Sequence, residues 1–194
     1  GVLQTLLQQR SEEKIVGAGW WGNGVCSNVR ANETTEECAL RRLREEIGVE
    51  MQLAPITLGS NKKSVKPNTI DKQYVFQYQA WCNEEYGEHE VDHVYVGSYN
   101  GELNLNPDEV QATRWVNFEK LQTATHAQLT TEDRLDYFQF PDLTPELDSD
   151  ELRSATAPVE IRLDESNYII APWSAMMALS VDPPLEVFPQ PLDR

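Results

Sequence analysis

Basic residues are scarce in this chain. Lys and Arg total 16 against 32 Asp and Glu, a formal charge of -16 over 194 residues, which repels nucleic-acid phosphates and anionic membrane surfaces alike. A nucleic acid is therefore not expected as a partner, and an anionic small molecule can bind only where the few cations are gathered locally. Cysteine is also sparse. Cys26, Cys38 and Cys82 make an odd set with no zinc-like spacing, which argues for free thiols in a reducing compartment, so a cytoplasmic location is expected. Long apolar runs are missing as well: none approaches the roughly 18 to 20 residues that a membrane helix needs. No basic-then-apolar leader is seen, and membrane insertion is not expected. No internal repeat is present. The length suits one domain with an appendage rather than two domains.

What is there divides unevenly along the chain. Leu3 to Gln9 reads as a strand, Ser11 to Lys14 as a turn, and the Gly- and Trp-rich stretch from Val16 to Val25 as a loop whose backbone approaches a ligand closely. Thr34 and Glu37 have capping-box spacing, Leu40, Leu43 and Ile47 form an apolar stripe, and Gly48 is placed to end the helix. Strands are expected at Met51 to Leu58, Lys72 to Cys82, His89 to Tyr99 and Ala112 to Asn117, with a helix starting near Phe118. From Glu132 to Glu165 there are 11 acidic and 3 basic residues, a composition that favours a solvated insertion over core structure. The expected organisation is one domain over 1–180, interrupted by an acidic insertion at about 127–166, then a tail over 181–194. Ile169 to Leu179 is expected to pack back on that domain.

On the helix, Arg41 lies four residues before Glu45 and Arg42 four before Glu46, so each pair can meet on one face. Alone, such pairs are ordinary surface ion pairs. Here they sit in a longer pattern: Glu33, Arg41, apolar Leu43, Glu45, Glu46, Gly48 and apolar Val49 at fixed separations after a Gly-rich loop. That pattern resembles the Nudix box, with Ser27 in its first Gly position and Arg42 in place of the Glu that normally follows the Arg. In diphosphate-cleaving Nudix enzymes that Glu helps hold magnesium for water attack, so a cation there weakens a hydrolase reading.

The branch most similar to the chain is the type I isopentenyl diphosphate isomerase family. Asn23-Gly-Val-Cys26-Ser-Asn28 resembles its Asn-x-x-Cys-x-His segment, and Leu6 to Lys14 resembles its strand and basic turn. Tyr86 to Asp92 resembles its Glu-x-Glu motif, with Tyr78 at the family's distance before Glu88, and Ala171-Pro-Trp173 resembles its Ser/Thr-Pro-Trp segment. The resemblance implies an α/β Nudix-type sandwich, a central mixed sheet between helices. It implies catalytic roles for Cys26, Tyr78, Glu90 and Trp173, and diphosphate contacts from Arg10, Lys14 and Arg42. It further implies magnesium held with the diphosphate by Glu46 and the main-chain carbonyl of Cys26, and a second divalent metal held partly by Glu88 and Glu90. Two neighbouring acids on one strand face repel unless a cation lies between them. Asn28 stands where the family has a metal-binding His, and Asn is a poorer ligand than imidazole. Two further His positions would precede residue 1. The second metal site is therefore expected to be weakened or vacant.

The implied substrate is a small prenyl diphosphate, and the implied reaction is protonation of its double bond, isomerising isopentenyl to dimethylallyl diphosphate. Three alternatives stand beside it: a relative that protonates a longer prenyl chain and lets it cyclise, a Nudix diphosphohydrolase, and a degenerate binding module. Trp20, Trp21 and Trp81 would line a wider pocket in the cyclising case, or serve as core. His89 and His93 lack the rest of a zinc pattern and read as ordinary polar residues.

Overall fold

The computed structural model describes residues 3–53, 69–81, 85–129 and 158–180. In chain order the elements are β1 (Gln4–Arg10), β2 (Trp21–Gly22), α1 (Thr35–Ile47), β3 (Gln52–Leu53), β4 (Thr69–Trp81) and β5 (Gly87–Gly97). There follow β6 (Val110–Asn117), α2 (Phe118–Leu129), β7 (Val159–Leu163), β8 (Ser166–Ile170) and α3 (Pro172–Ser180). Five strands form one mixed sheet in the order β6-β1-β2-β8-β7, and β3-β4-β5 form a second.

β1 organises the core because its side chains alternate across the sheet. Leu6 faces Ile47 and Val49 at the end of α1, with Leu43 packed alongside. Its neighbour Leu7 faces the opposite way, into a cluster with Leu121 of α2, Ala175 and Ala178 of α3, and the buried residues of β7 and β8. The sheet thus lies between α1 and the α2–α3 pair, the sandwich implied above. Val110 and Val116 have the same parity on β6 and would share a face in a regular strand. A register shift opposite Gln9 and Arg10 breaks that rule. It sends Val110 to the α1 side with Leu6, and leaves Val116 with Leu7 on the other.

α1 forms where its signals place it. The Thr34 hydroxyl accepts from the Glu37 backbone N–H and the Glu37 carboxylate accepts from the Thr34 N–H, closing the capping box, while Gly48 ends the helix in the left-handed region at φ 67°. Two expectations need revision. β7 falls inside the acidic stretch read as solvated, yet Val159, Ile161 and Leu163 are buried: its charged residues Glu160 and Arg162 alternate with apolar ones, and average composition conceals that period of two. α2 also runs to Leu129, just past the insertion's expected start at about 127. The rest of the expected insertion, the tail and most of the Met51 to Leu58 strand lie outside the described residues. β8 and α3 do pack back, with Ala171, Trp173 and Ala175 buried. Among the described residues no helix is long and apolar enough to cross a membrane.

Candidate active site

The sheet face covered by α1 receives Gln8 and Arg10 of β1, because both share the parity of Leu6. Gln8 is buried and donates from Nε2 to the Glu46 carboxylate at 2.7 Å. Glu46, 2% exposed, also accepts from Arg42 Nε at 2.7 Å. Such a buried carboxylate needs donors on its oxygens, and its place near the end of α1 is fixed by the packing of Ile47 and Val49 beside it. Burial pushes its carboxyl up from the ordinary value, and the hydrogen bonds from Gln8 and Arg42 oppose that push.

Arg41 and Arg42 point to different tasks. Arg41 grips Glu33 with two nitrogens, at 2.6 and 2.8 Å, and reaches Glu45 at 2.8 Å. This clamp braces the loop before α1 against the helix. Arg42 meets a carboxylate on each nitrogen: Glu46, Glu45 through Nη1 at 3.1 Å, and Glu109 through Nη2 at 2.8 Å. Lys14 donates to the same Glu109 oxygen, Oε2. Arg10 turns elsewhere, donating to the Val16 carbonyl at 3.2 and 3.0 Å while its guanidinium lies 5.6 Å from the Trp173 ring centre. Lys14 and Arg42 therefore meet at one carboxylate while Arg10 lies over Trp173, and each of the three expected diphosphate cations already has an internal partner.

The loop carrying Cys26 is moored to α3. Ser174 Oγ accepts from the Asn23 backbone N–H at 2.9 Å and donates to the Asn23 side-chain oxygen at 2.9 Å, while Asn23 Nδ2 donates to the Val25 carbonyl at 2.6 Å. A side chain on Gly22 would stand 3.3 Å from Ser174 Oγ, so glycine permits this close approach. Cys26 keeps part of its surface exposed, but its thiol lies deep. Burial, then the charges of Asp92, Glu90 and Glu46, push it well above the ordinary thiol range against the pull of Arg10. Those causes put the catalytic candidate Glu90 and the magnesium candidate Glu46 each within electrostatic reach of Cys26.

Trp173 is buried beside the same loop, and Trp20 packs against it with ring centres 6.4 Å apart. Its Nε1 is buried with no hydrogen-bond partner among the described residues. Trp21, by contrast, packs edge-on against Tyr168 in the core. A cavity of about 830 Å³ opens between α1, β5 and α3, and Cys26, Arg42, Asp92 and Trp173 all line it. Glu90 and Glu88 lie on β5 two residues apart, and Tyr78 of β4 stands opposite Glu90 in the register. The side chains of Tyr78, Trp81 and His89 lie outside the described residues. His93 is exposed.

Sequence reasoning assigned no role to Asp92, Glu109 or Gln8. Asp92 continues the Glu88–Glu90 alternation onto the same strand face, which was the available signal. Its carboxyl is pushed up to about 7 by burial, with Glu90 and Glu88 adding to the effect. Gln8 could have been found from the parity of β1. Nothing in the sequence singles out Glu109, which reaches Lys14 and Arg42 only through the folded chain.

Among the described residues no three His, Cys, Asp or Glu side chains are gathered closely enough to hold an ion by themselves. The donor set nevertheless fits magnesium carried by a diphosphate. Magnesium typically keeps waters and phosphate oxygens and takes only one or two protein carboxylates, and here the buried Glu46 carboxylate is one whose charge reaches Cys26. Asn28, at the position of the expected third His, is exposed.

A model of the Nudix domain matches residues 3–136. The chain is 35% identical over 116 residues to isopentenyl-diphosphate Delta-isomerase 2 of Aromatoleum aromaticum, covering 60% of this chain and 52% of that protein. It is 30% identical over 153 residues to the isopentenyl-diphosphate Delta-isomerase of Pectobacterium atrosepticum, covering 77% of this chain and 76% of that one. The chain spans about half the length of several of the curated relatives it matches. Among solved structures, a MutT protein from Methanosarcina mazei Go1 is similar with a TM-score of 0.44 and 22% identity, over 62% of this chain and 71% of that one.

Proposed function

Because the chain belongs to the Nudix family and, within it, to the isopentenyl-diphosphate isomerases, we propose that it protonates a carbon–carbon double bond of a prenyl diphosphate, interconverting isopentenyl and dimethylallyl diphosphate. The observation that carries this reading is the meeting of Cys26, Arg42, Asp92 and Trp173 around one cavity, with Glu90 and Glu46 in electrostatic reach of the thiol.

An unactivated alkene needs a positioned acid, a base for the allylic proton, and a site that keeps water from the tertiary cation between the two steps. Glu90, supported by Tyr78, supplies the proton to the terminal carbon, and the electron pair of the double bond forms the new C–H bond. The allylic C–H bond then breaks, its pair restores the double bond, and its proton passes to Cys26. The group that receives must be deprotonated when it does so, and in the reverse direction the two exchange roles. Burial and the surrounding carboxylates hold the proton on Cys26, the form that begins the direction in which Cys26 donates and Glu90 receives. The opposite direction, with Glu90 as donor, begins with that proton on Glu90 and Cys26 as the thiolate. The face of Trp173 stabilises the cation, as it receives the Arg10 guanidinium in the free protein.

Arg10, Lys14 and Arg42 take the diphosphate charge. Glu46 and the Cys26 carbonyl would hold magnesium, which would supply the rest of that neutralisation. The Arg at position 42 disfavours hydrolysis, because it fills the place of a metal-binding carboxylate and salt-bridges Glu46 instead. A second reading has one observation in its favour. Val25, Leu43, Ile47, Met51 and Met177 also line the cavity of about 830 Å³, more apolar wall than a five-carbon tail covers, so a longer prenyl chain that cyclises after protonation would fit it.

Incubation with magnesium and either isopentenyl diphosphate or longer prenyl diphosphates in deuterated water separates these readings. The expected result is deuterium in dimethylallyl diphosphate, with Cys26→Ala and Glu90→Gln each lowering the rate by about 10²- to 10⁴-fold while remaining folded. A cyclic product from a longer chain favours the second reading. Phosphate release without deuterium incorporation, or activity indifferent to both substitutions, would overturn the proposal.

A further inference from the structure

Glu109 occupies the position between Lys14 and Arg42 that an incoming phosphate group needs. Its Oε2 accepts from Lys14 Nζ and from Arg42 Nη2, so one carboxylate oxygen is shared by two cations from different parts of the chain. The side chains are partly exposed, 25% for Lys14, 13% for Arg42 and 22% for Glu109, so the bridge stands within reach of a ligand from solvent. Of the three carboxylates on Arg42, Glu46 is buried and also held by Gln8. Glu45 lies on the same helix and is held by Arg41. Glu109 is the carboxylate that comes from another element and also engages the second cation.

The backbone around Glu109 is pinned independently of its carboxylate. The Glu109 carbonyl accepts from the Ser11 N–H at 3.0 Å, the Glu109 N–H donates to Asn106 at 3.1 Å, and the Asn106 N–H donates to the Glu46 carbonyl at 2.9 Å. This turn therefore ties the Lys14 turn to the end of α1 whatever the side chain does, leaving the carboxylate free to swing on its own torsions.

We infer that Glu109 is an internal stand-in for substrate phosphate: it holds Lys14 and Arg42 converged in the free protein and is exchanged for a phosphate oxygen when a diphosphate binds. This rests on the diphosphate reading of the site. Two adjacent cations repel, and a shared anion cancels that repulsion; a phosphate oxygen of the same charge sign replaces it without rearranging either cation. Glu109 thereby sets the affinity of the site, since a ligand must displace one ionic bridge to enter.

The test uses the intact chain and magnesium with inorganic pyrophosphate, followed by calorimetry. Glu109→Gln removes the competing charge, and its dissociation constant should fall about three- to fivefold, the range of one partly exposed ion pair. The same substitution placed on Lys14→Met should change it by less than about twofold, because half of the bridge is already gone. In turnover, KM for the prenyl diphosphate should fall with kcat nearly unchanged. Should Glu109→Gln fail to fold, Glu109→Asp, which keeps the charge but withdraws it from both cations, should also tighten binding. Unchanged or weaker pyrophosphate binding by these variants, or an equal gain with and without Lys14, would overturn the inference while leaving the diphosphate site standing. Absence of pyrophosphate binding by the unsubstituted protein would overturn the diphosphate reading itself.

Discussion

Gly48 holds a backbone geometry that no side chain there would share comfortably. Its φ is 67°, and a Cβ would stand 2.7 Å from Asn104 Cβ and 2.8 Å from the Asn104 carbonyl oxygen. The backbone term alone costs of order 1 to 3 kcal/mol, and the collision adds to it, because the Asn104 N–H is tied to the Ile47 carbonyl and cannot move away freely. Gly48→Ala should lower stability by about 2 to 4 kcal/mol in chemical denaturation. A change below about 0.5 kcal/mol would mean that the turn relaxes. Glu33 makes a different prediction. The Arg41 side chain and the Arg30 backbone N–H hold its carboxyl at about 2, against an ordinary value of 4.5. Its folded value is thus depressed, so its contribution to stability is complete above about pH 5 and is lost as pH falls toward about 2. The stability difference between the unsubstituted protein and Glu33→Gln should therefore shrink across that interval; a difference constant down to pH 2 would show that the clamp is not ionic.

α1 is the element most nearly readable from sequence, because every device that makes it is local. Thr34 and Glu37 satisfy each other's backbone donors, the apolar stripe meets β1, and Gly48 closes the last turn. Thr34→Ala should cost about 1 kcal/mol and lower the midpoint of thermal unfolding by about 2 to 4 °C, measurable by circular dichroism; no shift would mean that tertiary packing alone sets the helix start. The other elements show where local signals end. The register shift between β1 and β6 decides which core Val110 joins, yet it depends on pairing across a hundred residues and leaves no mark in either strand. β7 was hidden by the acidic composition around it. The candidate site divides in the same way. Cys26, Glu46 and Trp173 stand in short motifs that carry a resemblance, and Asp92 continues a strand alternation. Glu109 acquires its partners from residues 95 and 67 positions away, a relation that only the fold creates.

At the scale of the molecule, the acidic surface and the cationic site oppose each other. A charge of -16 repels an anionic ligand at long range, whereas on the proposed diphosphate reading Arg10, Lys14 and Arg42 would attract it only after it has come close. The two effects respond to salt over different distances, since the screening length is about 30 Å at 0.01 M and about 10 Å at 0.1 M ionic strength. Moderate salt therefore removes the long-range repulsion first, and only higher salt weakens the contacts within the site, which are partly shielded from solvent. With magnesium held constant, kcat/KM for a prenyl diphosphate should rise as ionic strength increases from about 0.01 to 0.1 M and fall beyond it. A protein that steers its anionic ligand with a positive field shows a steady fall from the lowest salt, and that result here would mean that the local cations govern approach as well as binding. Glu109→Gln should leave the rising limb nearly unchanged, because one charge in sixteen barely alters the distant field. It should steepen the falling limb, because the ligand then meets Lys14 and Arg42 without the internal carboxylate between them.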